Sequence, residues 1–273
     1  MINGRRIVIA GGAGSIGSEL ARQLAKKNKI FILDNNETGV FEICQELKDF
    51  WVKPRVGDIR DKATIRDLFT DFKPQIVVNA AALKHVYLSQ IYPRDYVETN
   101  VIGNLNLIEE AGRWECLEKF VYISTDKIHS KSIMGATKKC GEAITTAMKN
   151  KYLAVRFGNV LGSRGSLLPI WEKQVNNGEP ITITDEKMKR YFMTIQDACR
   201  LVVEAIEEGE GGEVIILDMG EPKKIIDLKK ELYGDYPTEI IGIREGEVFE
   251  EKLMTDEEKK SAVKRNNFFI IKN

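Results

Sequence analysis

The chain has little with which to hold a metal or a disulfide framework. Its four cysteines, Cys44, Cys116, Cys140 and Cys199, form no C-x-x-C pair, and only two histidines accompany them. That scatter argues against a structural zinc site and for a reducing compartment. Long apolar runs are missing too. None approaches the roughly 18 residues that a membrane span needs, and the first residues lack a signal-peptide core, so a cytoplasmic protein without a span is expected. Neither sign of charge prevails, with Lys+Arg and Asp+Glu both at 41. No global field therefore draws the chain to nucleic acid or to an anionic membrane. No repeat or low-complexity linker interrupts the 273 residues, enough for a large core in one domain or in a main domain with a smaller one.

What is present is clearest at the start. Arg6 to Ala10 reads as a strand, Gly11-Gly12-Ala13-Gly14-Ser15-Ile16-Gly17 as a glycine turn, and Ser18 to Lys27 as a helix with Leu20 and Leu24 on one face. Phe31 to Leu33 is a second strand, ending at Asp34. Glycines at 11, 14 and 17 let the backbone turn tightly and approach a pyrophosphate, which rests on the first helical amides, including those of Ser15 and Ile16. A lone glycine triplet is weak evidence, but one between a strand and a helix, with an acid ending the next strand, points to dinucleotide binding. Asp34 can accept from ribose hydroxyls and would repel a 2′-phosphate, which favours NAD over NADP.

The alternation of strand and helix continues. Arg55 to Asp61 looks like a short strand whose end places Asp58 and Ile59 against an adenine. Gln75 to Asn79 is a buried strand running into Ala80, Ala81 and Ala82, small residues along which a cofactor backbone could lie. Asn100 to Gly112 reads as a helix, with Asn100 tying two loops together. Repeated strand–helix order argues for right-handed crossovers and a parallel, doubly wound sheet. At Phe120 to Ile123 another strand breaks into Ser124-Thr125-Asp126-Lys127, clustered polar groups where open α/β sheets place reactive atoms. Lys138 follows Met134 by four residues, which on a helix puts both on one face. Further on, Leu167 to Asn177 and Ile195 to Glu207 read as helices, Glu213 to Leu217 and Glu239 to Ile243 as strands, and the charged tail Thr255 to Arg265 as a solvated helix.

The glycine spacing and the strand ends at Asn79 and Ser124 resemble the extended short-chain dehydrogenase/reductase superfamily. Four runs are similar, more narrowly, to the UDP-N-acetylglucosamine 4,6-dehydratases of bacterial and archaeal surface-glycan pathways: Asn79 to Val86, Ser124 to Lys127, Met134 to Lys138, and Arg156 to Ser166. The resemblance runs over nearly the whole chain. It implies a Rossmann-like doubly wound sheet at residues 1–158 and 193–210, with a smaller α/β substrate-binding domain at 159–192 and 211–273. It also implies NAD as cofactor, a UDP-sugar as substrate, and a homo-oligomer.

The same resemblance assigns roles. Hydride leaves sugar C4, the resulting ketone acidifies C5, a base removes that proton, an acid protonates the departing C6 hydroxyl, and hydride returns at C6. Lys127 is the implied C5 base, Asp126 the acid, and Thr125 the partner of the C4 oxygen. To act near neutral pH the lysine needs a lowered pKa and the aspartate a raised one. Lys138 bonds the nicotinamide ribose. Asn159 bonds the sugar or phosphate, Arg190 pairs with the diphosphate, and Arg244 reaches the nucleotide; Lys84 and Arg164 are further substrate contacts. His85 is given no catalytic role. One departure stands out: most superfamily members carry a tyrosine where this chain has Met134, and a thioether cannot exchange a proton. Part of the resembling family shares that methionine. Two other readings stay open, a non-catalytic NAD-binding sensor and a nucleotide-sugar 4-epimerase; the first has no need to keep Asp126, Lys127 and Arg190 together, the second would want the tyrosine.

Overall fold

A computed structural model describes residues 2–272. The strands are β1 (Arg6–Ala10), β2 (Lys29–Asp34), β3 (Val52–Val56), β4 (Ile76–Asn79), β5 (Lys119–Ile123), β6 (Tyr152–Arg156), β7 (Asn159–Leu161) and β8 (Ile181–Ile183). They continue with β9 (Lys189–Arg190), β10 (Phe192–Thr194), β11 (Glu213–Leu217), β12 (Lys223–Lys224), β13 (Thr238–Ile240), β14 (Val263–Arg265) and β15 (Phe268–Lys272). Nine of them form one sheet in the order β14-β15-β11-β6-β5-β4-β1-β2-β3, parallel from β11 to β3 and antiparallel at β15 and β14. The order reverses between β1 and β4, which opens a crevice at the carboxyl ends of those strands.

Burial explains the choice of residues. Ile7, Val8, Ile9 and Ala10 are wholly buried, as expected of a parallel strand covered on both faces. Alternate residues feed two cores: Ile7 and Ile9 pack with Leu20, Leu24 and Ile32, while Val8 and Ala10 pack with Leu33, Phe69 and Leu107. The helices are anchored locally. Asp61 caps Lys62–Phe72 by accepting from the Ala63 amide, and Ser132 caps Ile133–Ala147 by accepting from Gly135. A smaller cluster of Trp171, Ile181, Ile183, Met188, Ile225 and Leu228 builds a second lobe, with β8 pairing β13 and β9 pairing β12.

Three expectations are corrected. The segment 211–273 does not belong as a whole to the smaller domain, because β11, β14 and β15 extend the main sheet. All five β11 residues are buried: Ile215 and Leu217 pack with Val202 and Ala205 on one face, and Val214 and Ile216 with Leu253 and Met254 on the other. The tail is helical only at Asp256–Ser261 and then turns back as β14 and β15. Asn100 lies in a π-helical turn, Glu98–Ile102, that follows the helix Pro93–Val97 and precedes Gly103–Ala111. There Asn100 exchanges hydrogen bonds with the Leu83 backbone and donates to Thr137. It ties the loop after β4 to the helix carrying Lys138, where a tie between two loops was expected. Among the described residues no helix is long and apolar enough to cross a membrane, and no cluster of His, Cys, Asp or Glu is placed to hold a metal.

Candidate active site

Two cavities lie at the carboxyl edge of the sheet. One, of about 370 Å³, lies over the β1/β4 crevice and is lined by Gly11, Gly14, Asp34, Asp58, Ile59, Ala80, Ala81 and Arg164, among others. Its floor demands glycine. Gly11 has φ +73°, and a Cβ there would stand 2.5 Å from the Ala81 nitrogen; at Gly17 a Cβ would stand 2.1 Å from the Gly11 carbonyl oxygen. The turn therefore leaves a bare backbone cradle at the start of the helix Ser15–Ala25, suited to a pyrophosphate. Asp34 is held by the Ala13 and Asn36 amides, at 3.0 and 2.9 Å, and each carboxylate oxygen keeps a second lone pair for a ribose hydroxyl. Asp58 is paired with Arg60 at 2.6 Å, and that hydrogen bond holds its carboxyl below the usual range against the opposing effect of burial. Ser15, Ile16, Gly17 and Lys138 do not line this cavity; the first three form the opening turn of the helix beneath it.

The second cavity, of about 230 Å³, lies between the main sheet and the smaller lobe, and Lys127, Asn159, Arg190, Arg244 and Glu251 face it. At its inner end β5 stops at Ile123 and the chain turns through Thr125, which accepts from the Lys127 amide at 3.4 Å and donates to Asp126 Oδ1 at 3.1 Å. Asp126 is 1% exposed, and its Oδ2 has no hydrogen-bond partner among the described residues. Burial, helped by Glu251 and opposed by Lys127, pushes its pKa up to about 7. The Lys127 amine, on a side chain 19% exposed, lies 3.2 Å from Asp126 Oδ1, 3.1 Å from Asn159 Oδ1 and 2.8 Å from Glu251 Oε2.

That arrangement overturns one expectation about charge. Burial pulls the Lys127 pKa down, but Asp126 and Glu251 outweigh it, and the net direction is upward. Lys138 moves the other way: burial takes it to about 7 against the pull of Glu142. Lys138 donates to the Ile123 carbonyl and stands 4.1 Å from the centre of the Tyr122 ring. Met134, one turn earlier on the same helix, is buried, with its amide on Ser89 Oγ at 3.1 Å.

The remaining assigned residues divide. Asn159 joins the site, linking Lys127 to Glu251. Arg244 sits exposed on the rim with its guanidinium unpaired among the described residues. Arg164 does not face the second cavity: its amide donates to Ser15 Oγ at 2.9 Å and its guanidinium to the Ala13 carbonyl, across the glycine turn. Lys84 donates to the Arg164 carbonyl at 2.7 Å, and its pKa is lowered by burial and by the Lys127 and Arg164 charges. His85 offers its carbonyl to Tyr96, and burial with the Lys84 charge lowers its pKa.

Arg190 is the clearest correction. Its Nε faces Glu251 Oε1 at 3.2 Å, while its terminal nitrogens donate to the Lys189, Phe249 and Val248 carbonyls and to Met188 Sδ. A guanidinium has five N–H donors; four of them go to the three carbonyls and Met188 Sδ, and Nε stands in an ion pair with Glu251, which leaves the terminal nitrogens no free donor for a diphosphate. Glu251 is the residue that sequence reasoning missed. It is 6% exposed between Lys127 and Arg190, and its only local signal was an acid just before the apolar pair Leu253-Met254.

Comparison with known proteins follows the same lines. The chain is 40% identical to the capsular polysaccharide biosynthesis protein CapD of Staphylococcus aureus, over 94% of this chain and 46% of CapD. It thus spans about half the length of that relative. It is 31% identical to a Campylobacter jejuni UDP-N-acetylglucosamine 4,6-dehydratase (inverting), over 99% of this chain and 84% of the relative. Among solved structures, Pen from Bacillus thuringiensis superposes with a TM-score of 0.89 at 31% identity, covering 99% of this chain and 89% of Pen. Thermus thermophilus UDP-glucose 4-epimerase, solved with NAD, superposes with a TM-score of 0.79 at 25% identity, covering 91% of this chain and 90% of the other. The model of one family, described as polysaccharide biosynthesis protein, matches residues 7–273, and the chain belongs to that family.

Proposed function

We propose that the protein modifies a nucleotide sugar with NAD, and that the reaction is dehydration of a UDP-N-acetylhexosamine, UDP-N-acetylglucosamine first among candidates, to a 4-keto-6-deoxy sugar. The observation that carries this is the strand end itself. Thr125, Asp126 and Lys127 stand together just past the end of β5, with Lys127 facing the second cavity and an acid near neutrality beside its amine. The C. jejuni dehydratase and the NAD-bound epimerase support the substrate class and the cofactor.

The residues around the first cavity fit NAD: the glycine cradle takes the pyrophosphate, Asp34 the adenosine ribose, Asp58 and Ile59 the adenine, and Ala80 and Ala81 the span between. When bound, NAD supplies the acceptor of the C4 hydride and its donor back to C6. Lys138, beside the end of β5, adds a donor near the nicotinamide ribose. Thr125 holds the C4 oxygen. Lys127 enters as an ammonium and becomes a base by passing one proton to Asp126, which makes the base and the acid in a single transfer. Substrate filling the cavity excludes water from Lys127, and a drier setting favours the neutral pair over the ion pair. The neutral amine then takes the C5 proton, and Asp126 gives its proton to the C6 hydroxyl, which leaves as water. The C4 hydroxyl proton is released to solvent on oxidation; hydride addition at C6 and return of the Lys127 proton to C5 complete the product, and uptake of one proton from solvent restores the pair. Arg244 is the cation available for the diphosphate.

Purified protein incubated with NAD and UDP-N-acetylglucosamine should yield a product lighter by one water in mass spectrometry. Conversion to the C4 epimer without loss of water would replace the dehydratase by an epimerase, and no turnover on any UDP-hexosamine would leave a binding protein.

A further inference from the structure

We propose that Glu251 is a positioning residue for this reaction, holding the Lys127 amine toward Asp126 and Asn159 while itself held by Arg190. The inference rests on the function proposed above and assigns a device within that site. Glu251 Oε2 lies 2.8 Å from Lys127 Nζ and 3.4 Å from Asn159 Nδ2, and its Oε1 lies 3.2 Å from Arg190 Nε. At 6% exposure the carboxylate takes its direction from those three partners.

The segment carrying Glu251 is stapled on both sides by buried arginines. Upstream, Arg190 donates to the Val248 and Phe249 carbonyls at 2.9 and 3.0 Å. Downstream, Arg156, 1% exposed on β6, donates to the Leu253 carbonyl at 2.9 Å. Arg156 is itself gripped by Glu142 at 2.6 Å and Glu258 at 2.9 Å, with His129 Nε2 at 3.3 Å from its other terminal nitrogen. His129 ends the short helical turn Asp126–His129. One network therefore fixes both the strand end that carries Asp126 and Lys127 and the distant segment that carries Glu251.

The charge has a separate consequence. The charged groups facing Lys127 are Asp126 from its own turn, Glu251, Arg190 from β9, and Lys84 from the loop after β4; Asp126 also faces the Tyr191 phenol. Glu251 raises the pKa of Asp126 and of Lys127 alike. A working pair carries one proton between amine and carboxyl, so turnover is lost below the Asp126 pKa, where both hold protons, and above the Lys127 pKa, where neither does. Removing the Glu251 charge lowers both values, and both limbs of the rate profile move to lower pH.

Glu251→Gln keeps the shape and removes the charge. Competitive labelling of Lys127 with acetic anhydride across pH, read by peptide mass spectrometry on protein without added ligand, should show its transition about 1 to 3 pH units lower than in the parent, the usual effect of one close charge. With NAD and UDP-N-acetylglucosamine, both limbs of kcat should move the same way, kcat should fall more than KM rises, and Glu251→Asp should restore the parent limbs. An unmoved labelling transition overturns the inference. A shifted transition in protein that never dehydrates any sugar leaves the positioning role standing and refutes the function instead. Should Glu251→Gln not fold, Glu251→Asp decides: parent-like labelling with reduced kcat supports the role, and parent-like kcat overturns it.

Discussion

Arg190→Ala separates a structural arginine from a phosphate ligand. Its guanidinium meets Glu251, three backbone carbonyls and Met188 Sδ, and its side chain is 9% exposed. Removing it leaves Glu251 buried with Lys127 as its one remaining cation among the described residues and strips a donor from the Lys189, Val248 and Phe249 carbonyls. Breaking one side of a buried ion pair costs about 3 to 5 kcal/mol, because the partner's charge stays desolvated. At roughly 2 to 4 °C per kcal/mol for a chain near this size, the melting midpoint should fall by about 6 to 20 °C. Arg190→Lys should recover only part of the loss, since an ammonium has three donors and no planar fork. The assay is paired: thermal unfolding by circular dichroism, and calorimetric titration with UDP at a temperature where each variant is folded. Arg244→Ala is the control, expected to melt as the parent does while losing about 1.5 to 3 kcal/mol of UDP binding, the range for a hydrogen bond to a charged group. An Arg190→Ala protein with the parent's melting midpoint and tenfold weaker UDP binding would return Arg190 to the diphosphate and refute the donor count.

Three further outcomes are expected. Gly17→Ala should abolish dinucleotide binding in a calorimetric titration, because its Cβ would lie 2.1 Å from the Gly11 carbonyl oxygen; retained NAD affinity would mean the turn can shift. NAD should bind several-fold more tightly than NADP, since Asp34 lines the cavity and the nearby Arg60 is committed to Asp58 at 2.6 Å; preferred binding of NADP by the purified protein would contradict this. Lys127→Ala should still oxidise C4, so NADH should accumulate by absorbance without dehydrated product and without deuterium entering C5 from heavy water; near-normal turnover with full deuterium incorporation would remove Lys127 as the base.

Much of this protein was legible locally. The turn from Gly11 to Gly17, the acid at Asp34, the small residues after Asn79 and the polar break after Ile123 each work through neighbours in sequence, so their spacing carried their meaning. The parallel sheet followed from strand–helix alternation, because buried apolar strands joined by helices have few other ways to pack. Tertiary structure decided the rest. Glu251 is 124 positions from Lys127, and nothing near it in sequence marks it as the lysine's partner. Arg190 read as a free fork until the carbonyls of Val248 and Phe249, nearly sixty residues on, were found to occupy it. Arg164 fell within a substrate-like motif yet reaches back across the glycine turn to Ala13. The expected direction of the Lys127 pKa failed for the same reason, since burial was foreseeable from the strand end but the second carboxylate was not. Sequence spacing specifies which groups a turn or strand end can present. Whether a buried charge is available, and in which protonation state, depends on partners that only the folded chain brings within a few ångströms.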